Sequence, residues 1–82
     1  MNQKTLLIKS QETDHIGRVL KSEDTAIVIS KIVSISKDDN ERGSVPFMIQ
    51  VNFDNHVERF SWASKRTRNY YFNKILKLIE SL

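Results

Sequence analysis

Between Phe47 and Phe53 large apolar residues stand at every second position, and from Ser64 they recur at every third or fourth. Phe47, Ile49, Val51 and Phe53 alternate with Met48, Gln50 and Asn52, the period of a strand with one buried face. Asp54-Asn55 supplies residue types that tolerate positive φ in a two-residue hairpin turn, and His56 to Trp62 forms the returning strand. Beyond it Phe72, Ile75, Leu76, Ile79 and Leu82 share one helical face, with Tyr71 and Leu78 on its flanks and Ser61 or Ser64 as the cap. A helix of about 17 residues would reach about 25 Å, enough to cover one face or open end of a small sheet. The chain must therefore combine antiparallel strands with a C-terminal amphipathic helix.

Upstream, Lys4 to Lys9 reads as a short strand, Gln11 to Asp14 as a polar turn, and His15 to Lys21 as a second strand despite Gly17. Thr25 to Ser36 is the most β-branched stretch, and Ile27, Ile29, Val33 and Ile35 have one parity. Lys31 breaks that face, so a kink or bulge near Ser30-Lys31 is expected to divide it into two strands meeting at an angle. Lys37 to Pro46, polar and punctuated by Gly43 and Pro46, reads as an exposed loop. The expected fold is α+β: a small antiparallel sheet or partly closed barrel of five to six strands, with one C-terminal helix, in a single domain over 1–82.

Eighty-two residues provide one modest core, because a domain of this size buries only about 60% of the surface its unfolded chain exposes. There is no cysteine, which removes disulfides, thiolate nucleophiles and the tighter zinc sites. His15 and His56 lack further ligand-type residues at metal-site spacing, and two isolated glycines cannot build a phosphate loop. No nucleophile, base and acid can be singled out, so neither catalysis nor a cofactor is expected. Nothing at the start resembles a signal peptide and no apolar run nears the eighteen or so residues of a membrane span, which points to the cytoplasm. Frequent Lys, Asn and Ile with two Gly and one Pro suit an AT-rich bacterial or phage genome.

Strands in series, a hairpin and one C-terminal helix resemble the small bacterial pleckstrin-homology-like domains. The matching elements are Ile29, Ile32 and Ile35, then Phe47 to Trp62, then Phe72 to Ile79, within residues 16–82. The resemblance implies a docking or adaptor role rather than catalysis, and a full barrel of that type has seven strands, more than this sequence supplies. No functional motif accompanies it.

Charge is divided unevenly along the chain. Residues 1–58 hold seven Lys/Arg against nine Asp/Glu, whereas residues 59–82 hold six against one. The basic cluster Arg59, Lys65, Arg66 and Arg68, interleaved with Trp62, Tyr70 and Tyr71, is the candidate site. Cations in the first turns of a helix oppose its macrodipole by about 0.3–1 kcal/mol each, so stability alone favours acids there. An anionic partner would offset that cost, and aromatics offer stacking surfaces for single-stranded bases. The leading expectation is a binding module for an acidic protein, through Arg59 to Tyr70 or a free sheet edge. The rival is a nucleic-acid-binding protein using the same cluster. Two plainer readings stand beside these: a basic, solvated helix face, to which Lys74 and Lys77 belong, and a homodimer supported by Tyr70.

Overall fold

The computed structural model describes residues 4–13, 19–39 and 45–82, and the change of apolar period at Ser64 is the boundary between strand and helix. Five strands precede that boundary among the described residues: β1 (Thr5–Thr13), β2 (Val19–Val28), β3 (Ile32–Asp39), β4 (Phe47–Phe53) and β5 (Val57–Trp62). One helix, α1 (Lys65–Glu80), follows. Two separate antiparallel sheets result, β1-β2 and β3-β4-β5. Among the described residues no ladder joins the sheets into the barrel that the sequence left open, and no sixth strand occurs.

β4 and the two-residue turn form as their alternation dictates, with Phe47 opposite Trp62 and Asn52 opposite Val57. The amide of Phe53 donates to the carbonyl of His56 at 2.9 Å, closing the turn at Asp54-Asn55. β1 is longer than its apolar run. It continues through Gln11 to Thr13, where a polar turn was expected, because the ladder to β2 extends there without an apolar residue at every position. The strand expected over His15 to Lys21 falls partly outside the described residues, and β2 begins at Val19.

The β-branched stretch does divide in two. β2 ends at Val28, a single 3-10 turn covers Ile29–Lys31, and β3 begins at Ile32. A register shift follows at once, since Ile32 pairs with Phe53 but Ser34 with Asn52. The extra residue is Val33, which was expected on the inner face and is instead 64% exposed. Turn and bulge together place Ile29, Ile32 and Ile35, three positions apart, against one core. β3 then runs through Asp39, into the stretch expected to be loop, and residues 40–44 of that loop lie outside the described residues.

Both sheets and the helix share this core. Leu6 and Ile8 of β1, Ile27 of β2, Ile29, Ile49 and Val51 of β4, Phe60 and Trp62 of β5, and Ile75 of α1 are all buried. Ser64, not Ser61, caps α1, its Oγ accepting from the amide of Thr67 at 3.3 Å. The buried side of α1 is centred on Ile75, with Arg68 two turns before it and Tyr71, Phe72, Leu78 and Ile79 packed around. Leu76 and Leu82, expected on that face, are 37% and 63% exposed. Leu76 lies just past the stripe and Leu82 beyond the last helical turn.

Because Ile75 is fully enclosed, Ile75→Ala is expected to cost about 2–5 kcal/mol in urea unfolding. Ser64→Ala, which removes only the cap, is expected to cost about 1 kcal/mol by the same measurement.

Candidate functional site

The six residues singled out from sequence do not form one surface. Trp62 is 1% exposed and belongs to the core. Its indole Nε1 donates to the carbonyl of Lys9 at 2.5 Å, and its ring stacks on that of Tyr71 with centroids 5.2 Å apart. A ring enclosed in this way is unavailable as a stacking platform for a base.

Arg68 is likewise inside, at 2% exposure. Its position is seven residues before Ile75 and three before Tyr71, so it stands on the buried stripe extended back toward the helix start. The guanidinium is satisfied within the domain. Nη1 donates to the Asp39 carboxylate at 2.5 Å and to the carbonyls of Asp38 and Met48 at 3.2 and 3.4 Å, and Nε donates to Asn69 Oδ1 at 2.8 Å. The Phe47 ring lies 5.6 Å from its Cζ. A buried charge must be paired and hydrogen-bonded, and Arg68 is both. It fastens the first turn of α1 to the end of β3.

The four remaining residues are exposed but lie apart. Arg59 sits opposite Gln50, on the face of β5 turned away from Phe60 and Trp62. Lys65 borders a polar groove with Asp38, Asp39 and Asn69 at the end of β3. Arg66 and Tyr70 stand on the side of α1 opposite Ile75. Helical spacing there continues them through Asn73, Lys74 and Lys77, and Tyr70, Asn73, Lys74 and Lys77 line one shallow groove. Sequence reading had placed Lys74 and Lys77 on the plain solvated face. The signal that joins them to Tyr70 is the i, i+4 and i+7 spacing, already present in the chain.

Tyr70 is 56% exposed and held in place from two sides. Tyr71 meets it edge to face at 5.2 Å, and Lys74 Nζ donates to its hydroxyl at 3.2 Å while lying 5.5 Å from the ring centroid. Through Tyr71 and Trp62 the exposed ring is stacked back to the core. Among the described residues no carboxylate forms an ion pair with Arg59, Lys65, Arg66, Lys74 or Lys77, and the first turn of α1 contains no acid. The exposed side of α1 thus presents a fixed aromatic ring among cations whose charge is not neutralised by those residues.

His56, just past the hairpin turn, stacks on Phe53 at 4.7 Å. Its Nδ1 lies 2.7 Å from Asn55 Oδ1 and its Nε2 lies 3.7 Å from the Glu58 carboxylate. Among the described residues no group of three or more acids and histidines could hold a metal ion, and no helix is long and apolar enough to cross a membrane. No protein-family model, curated protein or solved structure matches this chain.

If Arg68 is a structural tie, its loss and that of its partner must not be additive. Asp39→Ala is expected to lower stability by about 1–3 kcal/mol, because it leaves a buried guanidinium short of its counter-charge. Adding Arg68→Met, which replaces the charge by an apolar chain of similar reach, is expected to recover most of that loss. A double-mutant cycle in urea checks both.

Proposed function

We propose that this domain is a non-enzymatic docking module whose exposed α1 surface, Arg66, Tyr70, Asn73, Lys74 and Lys77, engages an acidic surface of another protein. The observation that carries the reading is a conflict between charge and local stability. Arg66 occupies the first turn of a helix that has no acid there, where its charge opposes the macrodipole. Stability within the fold gives no reason to keep it. An acidic partner does, because each exposed cation would gain a charge-assisted hydrogen bond on contact. Tyr70 suits the centre of such a contact, being a large ring already immobilised and so costing little entropy to order. The docking role implied by the pleckstrin-homology-like resemblance agrees with this reading.

Nucleic acid is the competing ligand, and the arrangement of aromatics disfavours it. Binding of single strands relies on several stacking rings, each worth about 1–3 kcal/mol. Withdrawal of Trp62 into the core and of Tyr71 onto its ring leaves Tyr70 alone on this side of the helix.

Titration with poly-glutamate and with single-stranded and duplex oligonucleotides separates the two. Poly-glutamate binding is expected to weaken by about threefold or more for each of Arg66→Glu and Lys77→Glu, although unfolding stability should rise by about 1 kcal/mol for the first, which puts an acid in the first turn, and fall by about as much for the second, which removes the cation of the last turn. Tighter binding of an oligonucleotide at near-physiological salt, with log K falling by about 0.7–0.9 per phosphate neutralised, would replace this reading with the nucleic-acid one.

A further inference from the structure

Four strands end their sheets: β1 and β5 face each other through side chains, which leaves β2 and β3, and of these two only β3 is guarded. Among the described residues β3 is paired to β4 alone, but it carries a bulge at Val33, and its exposed charges Lys37 and Asp39 reach over to Phe72 and Arg68 of α1. Bulges and charged side chains on an end strand are devices that blunt it against further pairing. Among the described residues β2 is paired to β1 alone, and its register is unbroken from Lys21 to Val28. Its last four residues, Thr25 to Val28, carry no charge.

The direction of each backbone group on β2 follows from β1. In an antiparallel pair, residues alternate between those bonded to the partner strand and those whose amide and carbonyl point away from it. Lys9 points away: its amide donates to the Tyr71 hydroxyl at 3.4 Å and its carbonyl accepts from Trp62 Nε1. Its partner is Asp24, so Asp24 points away from β1 on the other side, and by alternation so do Ala26 and Val28. The Ile29 amide, which donates to the Lys4 carbonyl at 2.9 Å, gives the same phase independently. Asp24 and Ala26 therefore present their amides and carbonyls along the open edge and Val28 presents its amide, its carbonyl serving the 3-10 turn that it caps, whereas Thr25 and Ile27 are bonded to β1.

Beside that edge lies a cleft of about 190 Å³. Thr25, Ala26, Ile27 and Val28 all border it, the signature of a strand seen from its edge rather than its face, and Lys31, Phe53, His56 and Glu58 complete its lining. Its size exceeds the roughly 150 Å³ of a cavity that admits benzene, so it holds one apolar side chain. At its mouth the exposed Lys31 has no carboxylate in ion-pair range among the described residues, while Glu58 already faces His56.

We propose that the free edge of β2 takes up an extended segment of a partner protein, which adds as a strand along Asp24 to Val28, lays an apolar side chain into the cleft, and directs an acidic residue to Lys31. Backbone pairing supplies the general attraction, and the cleft and Lys31 fix which segment fits. The site uses none of the residues of the α1 surface and does not depend on the reading given for it.

The probe is a synthetic peptide alternating threonine and valine with an aspartate at one end, followed by amide hydrogen exchange in NMR. Addition of the peptide is expected to slow exchange at Ala26 and Val28 by about tenfold or more and to leave Thr25 and Ile27 unchanged. Ala26→Pro, which removes an outward amide without taking a bond from the ladder to β1, is expected to abolish the effect. Should that variant fail to fold, the same peptide N-methylated at alternate residues serves on the native chain and is expected to give no protection. Lys31→Glu is expected to weaken binding by about threefold or more. Unchanged exchange at Ala26 and Val28 with millimolar peptide would overturn the proposal, as would protection without regard to parity. So would protection without peptide that grows with protein concentration, because the edge would then belong to a second copy of this chain.

Discussion

Where β1 meets β5 there is no ladder, and a few side chains do the joining. Trp62 donates its indole hydrogen to the carbonyl of Lys9, Tyr71 accepts from the amide of the same residue, and the two rings stack. The carboxamide of Gln11 adds one more bond, accepting from the amide of Ala63 at 3.0 Å. One seam thereby ties together the first sheet, the second sheet and the helix. A buried edge left with unpaired backbone groups would be costly, and these side chains satisfy the groups that a missing ladder would have used. The outward turn of Lys9, which they fix, also sets the phase of β1 and so of the open edge of β2.

The helix is anchored at both ends by charge. At its start, Arg68 reaches across to Asp39 and the carbonyls beside it. At its end, Lys4 donates to the backbone carbonyl of Ser81 at 3.0 Å and to its hydroxyl, placing a cation where the macrodipole favours one. Between them Ile75 is enclosed by both sheets. With its orientation fixed in this way, α1 exposes the side that bears Arg66, Tyr70, Lys74 and Lys77. The face that holds the domain together and the proposed docking surface lie on opposite sides of the same helix.

Much of this was legible in the chain. Alternation from Phe47 to Phe53 and the helical period after Ser64 each follow from one dominant burial constraint, and both elements form where those patterns place them. The bend after Val28 was legible as a break in parity at Lys31, but its form was not. A 3-10 turn followed by a bulge at Val33 depends on how β3 must meet β4, a non-local requirement. The same holds for the candidate site. Basic and aromatic residues adjacent in sequence suggested one patch, yet strand parity sends Arg59 and Trp62 to opposite faces, and helical spacing sends Arg66 and Arg68 to opposite sides of α1. What sequence could not supply was the counter-charge of Arg68, since Asp39 lies 29 residues away.

The central claim is that Trp62 closes the seam between the sheets rather than meeting a ligand, and hydrogen exchange of its indole Nε1–H tests it directly. Bonded to the Lys9 carbonyl and enclosed by the core, that hydrogen is expected to exchange only through global unfolding, with a free energy equal to that from urea denaturation. Exchange at the rate of an exposed indole under native conditions would contradict the account, because the seam would then be open in the folded domain.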